Sequence, residues 1–243
     1  MVSETKRSSS SSLSQRTKNI VTISIFAALH TALDILRGPW RQWSVYLEPL
    51  EGMVLGPKIG FAAALIGSAT RTAITGNPLA IFGMAAEPIG VVTAGCLIHG
   101  YWWPVVLIYG VMLGAYFAHP YGRILPLWTV LDIIIALILI YPTAKIGKGI
   151  FSNTENVKKL TVFVFLASFV STVADSLVRV FLLVPVELYK LFFPDFNTLY
   201  GVFVFGAAGS YIEDILVTIV SLIISIPTLL TLKRGKIVRW PLS

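Results

Sequence analysis

Long apolar runs, separated by short polar segments, dominate this chain and limit it to a few folds. Of its 243 residues, 56% are hydrophobic and 13% are charged, whereas a soluble domain carries about twice that charged fraction. Only helices and closed barrels satisfy their backbone hydrogen bonds in lipid, and these runs are too long and continuous for barrel strands. We therefore predict an all-α fold, a polytopic transmembrane helical bundle.

Hydropathy divides the chain into eight segments, which cover residues 19–36, 45–55, 58–75, 79–99, 104–118, 124–142, 160–185 and 202–232. As a helix, segment 45–55 reaches only about 17 Å, which is too short to span a membrane alone. Whether it tilts, continues as a loop or forms a half-span stays open, so we expect seven or eight membrane segments. The polar segment 1–18 is expected to be a disordered cytoplasmic tail. Residues 19–232 then form the transmembrane domain, and residues 233–243 form a basic cytoplasmic tail.

Basic residues gather in three clusters outside the apolar segments. These are Lys6, Arg7, Arg16 and Lys18; Lys145, Lys148, Lys158 and Lys159; and Lys233, Arg234, Lys236 and Arg239. The positive-inside rule places all three clusters on the cytoplasmic side. Six segments separate the first cluster from the second, and two separate the second from the third, so the even numbers agree with that placement. We predict a multi-pass protein of the plasma membrane with both termini in the cytoplasm and with no nucleic-acid partner.

Several ionisable residues interrupt the apolar segments, although a charge in hydrocarbon costs several kcal/mol. On the predicted topology they lie in the outer half of the membrane or near its midplane, and the inner half is almost purely apolar. They are His30, Asp34, Arg71, Glu87, Asp132, Asp175, Arg179, Glu213 and Asp214. A channel would be polar through its full depth, so this asymmetry favours an outward-facing binding pocket.

Some of these charges have a local structural explanation. Asp175 and Arg179 are four residues apart and can pair on one helix face. His30 and Asp34 have the same spacing, which favours an internal hydrogen bond over a metal site. Arg71 has no local partner, and the residues that could serve are Glu87, Asp175 and Glu213. For Arg71, Glu87 and Glu213 we favour a role in function over a structural role.

Aromatic and basic residues alternate in the loop 37–46, immediately outside the first segment. Trp40, Trp43 and Tyr46 are flanked there by Arg37 and Arg41. Such aromatics usually anchor a helix at the lipid headgroups, but with the arginines they could also stack on and neutralise a small ring-bearing ligand. The loop 186–201, which is rich in phenylalanine, is a candidate for a second lid.

Small residues recur every four positions and predict close helix contacts. Gly52, Gly56 and Gly60 form one row, which Ala64 and Gly67 continue, and Gly110 and Gly114 form another. In the first segment the row is Ser24, Ala28 and Ala32. These rows could pack within the bundle, and that of the first segment could instead dock another membrane subunit.

Catalytic and metal-binding motifs are not evident. The chain has no P-loop, no HExxH and no Cys or His cluster with ligand spacing, and its lone Cys96 excludes an intramolecular disulfide. We therefore expect no enzyme activity, no catalytic residue, no metal and no cofactor. ATP hydrolysis, if it drives the protein, must come from another chain.

Three segments resemble the substrate-binding (S) components of energy-coupling factor transporters for vitamins. Residues 28–32 (ALHTA) are similar to the AxxxA motif that docks the transmembrane coupling subunit in that family. Residues 54–67 are similar to the family's LGPxxG turn between a short second helix and a third helix, and residues 214–236 to its last helix and basic end. The chain departs from the usual six helices by an additional pair, which we expect over 104–142. The acidic residue that often follows the third helix is replaced by Arg71 or by Gly76 and Asn77, which implies a different substrate.

The resemblance implies a membrane-embedded subunit that captures a small water-soluble vitamin or related micronutrient from outside. The expected substrate-binding residues are Trp40, Trp43, Tyr46, Arg71, Asn77, Glu87, Asp175, Arg179 and Glu213. Ala28 and Ala32 would face a transmembrane coupling subunit, which separate ATPase subunits drive. A stand-alone ion-coupled transporter with Asp34, Asp175 or Glu213 as ion carrier is one alternative. An intramembrane enzyme or a structural scaffold is another.

Overall fold

Helices make up nearly all of the part of the chain that the computed structural model describes, which is residues 2–150, 156–193 and 195–235. The helices are α1 (Val2–Ile35), α2 (Trp43–Thr75), α3 (Ala80–Ile98), α4 (Trp102–Ala118), α5 (Pro120–Ile124), α6 (Leu131–Gly147), α7 (Val157–Leu183), α8 (Tyr189–Phe192) and α9 (Phe196–Gly235). A 3₁₀ turn, Leu127–Val130, precedes α6. Within these ranges the β-type pairing is a single bridge between Arg37 and Gln42.

Six helical stretches of the described chain are long and apolar enough to cross a membrane. They are Gln15–Ile35, Trp43–Thr75, Ala80–Ile98, Leu127–Gly147, Val157–Leu183 and Phe196–Lys233. Large apolar side chains are exposed along their outer surfaces, for example Ile25 on α1 and Ile215 and Ile223 on α9. A helix surface of this kind is stable in lipid and unfavourable in water. The prediction of an all-α, polytopic helical bundle is therefore confirmed.

Helix α2 reverses direction at Gly56, where φ is 75° and ψ is 173°. This positive φ favours glycine, and Pro57 then starts the second half with a φ suited to a helix. A Cβ placed on Gly60 would lie 3.9 Å from the carbonyl oxygen of Glu51, although nine residues of straight helix span about 13 Å. The two halves, 43–55 and 57–75, therefore form a hairpin, which confirms the predicted turn between a short second helix and a third.

With α2 counted as two halves, eight helical segments of 13 or more residues follow one another in the described chain. Successive segments run in opposite directions, and the apolar α4, with 17 residues, falls just short of a span. We call the end of the bundle that carries the 36–42 loop the distal end, and the end that carries the Gly56 turn the proximal end. By this definition α1 runs from the proximal to the distal end.

The core centres on α3, which packs against both halves of α2 and against α7. The approach to α2 is close: a Cβ on Gly52 would lie 2.1 Å from the carbonyl oxygen of Val91, and a Cβ on Gly95 would lie 2.7 Å from the nitrogen of Pro57. Large apolar side chains fill the proximal half of this core; they include Met53, Leu55, Leu97, Ile140, Leu160 and Phe163, all fully buried.

Some sequence-based expectations differ from the structure. Helix α1 begins at Val2, so it includes most of the segment 1–18 that was expected to be disordered; extending a formed helix costs less than nucleating one. The row of small residues on α2 is interrupted at Gly56. Glycines 110 and 114 have no described atom within 4 Å of an added Cβ, so the prediction of a close helix contact there is wrong. The basic residues Lys236 and Arg239 lie outside the described residues.

Candidate functional site

A cavity of about 400 Å³ lies at the distal end of the bundle, between the ends of α3, α6, α7 and α9. We call it the distal pocket. Its walls are mostly apolar, with three charged side chains among them. Its lining consists of Arg41, Leu79, Phe82, Thr129, Asp132, Ile133, Ser176, Arg179, Val180, Leu183, Val202, Phe203, Gly206, Ala207 and Ser210. A concave apolar site with a few polar groups is the usual form of a small-molecule site.

Arg179 is held rigidly in the wall of the distal pocket. Its Nε atom donates to Oδ2 of Asp175 at 2.7 Å, and its Nη2 atom donates to Oδ1 at 3.0 Å. This bidentate geometry fixes the guanidinium plane and confirms the predicted pair on one face of α7. Nη2 of Arg179 also lies 4.0 Å from Oε1 of Glu87 on α3.

A chain of buried charges leads from Arg179 to α1. Oε2 of Glu87 lies 2.9 Å from Nε2 of His30, and Nδ1 of His30 lies 2.8 Å from Oε2 of Glu51. His30 is 1% exposed, and an imidazolium ring at this position can donate to both carboxylates at once. We call Arg179, Glu87, His30 and Glu51 the buried relay. It joins the pocket wall, α3, α1 and the first half of α2.

The predicted hydrogen bond between His30 and Asp34 is wrong, because His30 binds the two glutamates instead. Asp34 accepts a hydrogen bond from Oγ of Ser44 at 2.9 Å and lies 3.6 Å from Nε of Arg71. Arg71 is therefore paired with Asp34, not with one of the three acidic residues named from the sequence. The short loop after α1 brings Ser44 beside Asp34, a contact that helical spacing alone does not predict.

Glu213 pairs with the loop 36–42. Its Oε2 atom accepts a hydrogen bond from Nε of Arg41 at 2.8 Å. Arg41 lines the distal pocket, so this ion pair attaches the loop to α9 at the pocket margin. Glu213 itself does not belong to the pocket lining.

The aromatic residues of the loop serve the fold more than the pocket. Tyr46 is fully buried, and its hydroxyl accepts a hydrogen bond from the backbone N–H of Trp40 at 3.1 Å. The ring of Trp43 packs on Tyr46 with 5.4 Å between centroids, and both contact the cluster around Val217. Trp40 is 52% exposed. None of the three lines the distal pocket, so the structure does not form the predicted stacking cap.

Of the nine substrate-binding residues predicted from the sequence, Arg179 alone lines the distal pocket as described. Asp175 and Glu87 lie directly behind it as its charge partners. Asn77 is exposed, and its side-chain oxygen accepts a hydrogen bond from the N–H of Leu79 at 3.0 Å, which shapes the turn before α3. The remaining predicted residues, Trp40, Trp43, Tyr46, Arg71 and Glu213, lie around the pocket but outside its lining.

The candidate lid loop does border the pocket. Its short helix α8 places the ring of Phe192 5.7 Å from that of Phe82, and Phe82 lines the pocket. Glu187, which is partly exposed and lies just before α8, accepts hydrogen bonds from Lys190 and His119. These bonds hold the pKa of Glu187 below its usual range. This loop therefore combines an apolar face toward the pocket with a charged face away from it.

Four buried acidic residues were not predicted as site residues from the sequence. Glu48 and Glu51 lie in the segment that is too short to span, and neither was predicted as a site residue, although their i, i+3 spacing places them on one helix face. Glu48 is fully buried, and both of its carboxylate oxygens lack a hydrogen-bond partner among the described residues. Asp132 and Asp214 were recognised as membrane charges but not as site residues.

A second cavity, of about 340 Å³, adjoins the distal pocket. It is lined by Leu131, Asp132, Ile135, Phe169, Tyr211, Asp214 and Ile215. Asp132 lines both cavities. Beside the second cavity, the Tyr211 hydroxyl donates to the carbonyl oxygen of Trp128, which joins α9 to the turn before α6.

The small-residue row of α1 faces away from the bundle. Ser24, Ala28 and Ala32 are exposed. Thr31, in contrast, faces the bundle, and its hydroxyl donates a hydrogen bond to the carbonyl oxygen of Gly67 at 3.1 Å. The reading of this row as packing within the bundle is therefore wrong. Exposed Ile25 and Leu29 flank the row.

Among the described residues, no group of three or more His, Cys, Asp or Glu side chains is arranged to hold a metal ion. No protein-family model matches the chain. No curated protein and no solved structure matches it either.

Proposed function

We propose that this protein is a membrane-embedded substrate-binding subunit of an energy-coupling factor importer, which captures a small water-soluble, vitamin-like micronutrient from outside the cell. The observation that carries the proposal is the distal pocket. It has the size of a small organic molecule and lies at one end of a bundle whose other half is filled by apolar side chains. A binding subunit needs such a one-sided site, whereas a channel needs a path through the whole bundle.

The distribution of basic residues supports an outward-facing pocket in the plasma membrane. Arg16 and Lys18 on α1, Lys58 after the Gly56 turn, and Lys145 and Lys158 on α6 and α7 all belong to the proximal end. Under the positive-inside rule this end is cytoplasmic, with both termini. The distal pocket would then open toward the outside.

The exposed row on α1 supports a partner within the membrane. Ser24, Ala28 and Ala32 present a flat surface on which a second helix can approach closely, and close packing drives helix association in lipid. We assign this surface to a transmembrane coupling subunit, itself driven by separate ATPase subunits. The buried relay reaches α1 at His30, between Ala28 and Ala32, so it connects the pocket wall with the helix that would carry the partner.

Native mass spectrometry of the detergent-purified protein tests the pocket directly. A subunit that captures scarce nutrients should retain a small molecule through purification, seen as a discrete added mass that is released on unfolding. A protein that carries no such mass, and binds no member of a panel of water-soluble vitamins, would contradict the proposal.

A stand-alone ion-coupled transporter of a small organic solute is the second candidate. Three buried carboxylates, those of Glu48, Asp132 and Asp214, have no cationic partner within 4 Å in the described chain, and proton or sodium carriers have this character. This candidate predicts solute uptake into vesicles that contain only this protein and an ion gradient, without ATP.

A further inference from the structure

Two carboxylates, on Asp132 at the start of α6 and Asp214 on α9, meet at the boundary between the two distal cavities. Asp132 is 6% exposed and Asp214 is 1% exposed. Each carboxyl group is close enough to the other to affect its charge. Asp132 lines both cavities, and Asp214 lines the second. We call these two residues the acidic pair.

The acidic pair has no counter-charge in the described structure. Three partly buried arginines are already engaged, Arg41 with Glu213, Arg71 with Asp34 and Arg179 with Asp175. Oδ1 of Asp132 and both oxygens of Asp214 have no hydrogen-bond donor among the described residues. Two adjacent carboxylates cannot both be ionised in a buried site without a cation, so they share a proton or hold a positively charged ligand.

The cavity beside the pair has the wrong dimensions for a bare ion. The distal pocket has a volume of about 400 Å³, and apolar side chains such as Leu79, Phe82 and Phe203 form much of its wall. An apolar wall binds an apolar body, while a carboxylate binds an ammonium group through short, charge-assisted hydrogen bonds. The faces of Phe82 and Phe203 can also attract a cation. Together these features fit one molecule with a cationic group and an apolar body.

We propose that the substrate of the distal pocket is an organic cation whose ammonium group binds the acidic pair. This inference rests on the proposed function, because it names the chemical class of the substrate of the same pocket. The ammonium group donates to the unpartnered oxygens of Asp132 and Asp214 and takes the place of a shared proton. The two arginines of the wall do not select an anion, because each is neutralised by its own carboxylate.

The test compares benzylamine, benzyl alcohol, benzoate and sodium chloride as probes of the full-length protein in detergent. Isothermal titration calorimetry measures binding, and the thermal midpoint measures stabilisation. We expect benzylamine to bind the wild type and to stabilise it, and the neutral and anionic analogues not to do so. Asp132→Asn and Asp214→Asn should each weaken benzylamine binding about tenfold or more, because each removes one charged acceptor.

Glu48→Gln is the matched control, because Glu48 is also a buried carboxylate without a partner but lines neither cavity. This variant should keep the wild-type response to benzylamine. All variants are first compared by their size-exclusion profiles in detergent, which show whether the fold is intact. The conservative substitution Asp132→Glu keeps a carboxylate and should therefore retain part of the benzylamine binding that Asp132→Asn loses.

Three results would overturn the inference: no difference between benzylamine and benzyl alcohol, undiminished benzylamine binding by Asp132→Asn and Asp214→Asn, or stabilisation by sodium chloride equal to that by benzylamine. The last result would identify an alkali-cation site. These outcomes are separate from failure of the proposed function, because ATP-driven uptake with partner subunits and retention of a neutral or anionic ligand would still support an importer subunit.

Discussion

Nε2 of His30 lies 2.9 Å from a carboxylate oxygen of Glu87, across the contact between α1 and α3. Glu87 faces Arg179 in the pocket wall with its other oxygen. One side chain of α3 therefore contacts both the helix with the exposed small-residue row and the residue that lines the distal pocket. A ligand that moves Arg179 would change the electrostatic surroundings of His30.

Replacement of His30 by alanine should destabilise the bundle strongly. It leaves the carboxylates of Glu51 and Glu87 facing a buried gap, and the loss of one partner of a buried charge cluster costs about 3–5 kcal/mol. Thermal unfolding in detergent, followed by size-exclusion, should show a clear drop in midpoint. The neighbouring Leu29→Ala, on the exposed face, is the control and should change the midpoint little. Equal midpoints for His30→Ala and the wild type would contradict the role of the buried relay.

Glycines at two helix positions should respond in opposite directions to alanine. Gly52→Ala introduces a Cβ that would lie 2.1 Å from the carbonyl oxygen of Val91, so α2 and α3 must separate and the thermal midpoint should fall. Gly110→Ala meets no described atom within 4 Å, and alanine is favoured over glycine in a helix by about 1 kcal/mol. The midpoint of this variant should stay the same or rise. The reverse order would show that the contact between α2 and α3 is not as described.

A tryptophan at Ala207 should block the distal pocket. Ala207 lines the pocket and is 6% exposed, so an indole ring there would occupy much of the cavity. The protein should then lose the small molecule that we expect native mass spectrometry to detect in the wild type. The adjacent Ala208 is exposed, and Ala208→Trp provides the matched control, which should retain the ligand. Retention by both variants would place the ligand elsewhere.

Tryptophans at Ala28 and Ala32 together should prevent assembly with the proposed coupling subunit. Both residues are exposed on α1, so bulky side chains there leave the bundle intact but keep a partner helix at a distance. Copurification with the coexpressed coupling and ATPase subunits should fall to background, with an unchanged thermal midpoint. Ile219→Trp, on the exposed surface of α9, is the control. Normal copurification of the double variant would remove the assignment of this surface.

The helical segments could be predicted from the sequence because hydropathy is a local property. The reversal at Gly56 was also predictable, since a glycine followed by a proline marks a break in a helix. The structure differs mainly at the ends, where α1 begins at Val2 and α9 at Phe196, because a folded helix extends into polar sequence that has no hydrophobic signal of its own.

The candidate site could be predicted only where its contacts are local. The pair of Asp175 and Arg179 follows from helical spacing, and the structure contains it. The partners of His30 and Arg71 could not be identified, because they depend on which helices are neighbours. Glu48 and Glu51 were not singled out for another reason: the segment that contains them is too short to span alone, and it is buried by its contacts with α1, with α3 and with the second half of α2.

Transport by reconstituted vesicles tests most directly whether this protein is a binding subunit. The molecule released from the purified protein would be offered to vesicles that contain the chain alone, or the chain with the proposed coupling and ATPase subunits. We predict that the molecule accumulates only in vesicles that contain all the subunits, and only when ATP is present on the side of the membrane where the ATPases lie. Accumulation by the chain alone under a proton or sodium gradient would contradict the proposal and would identify an ion-coupled transporter.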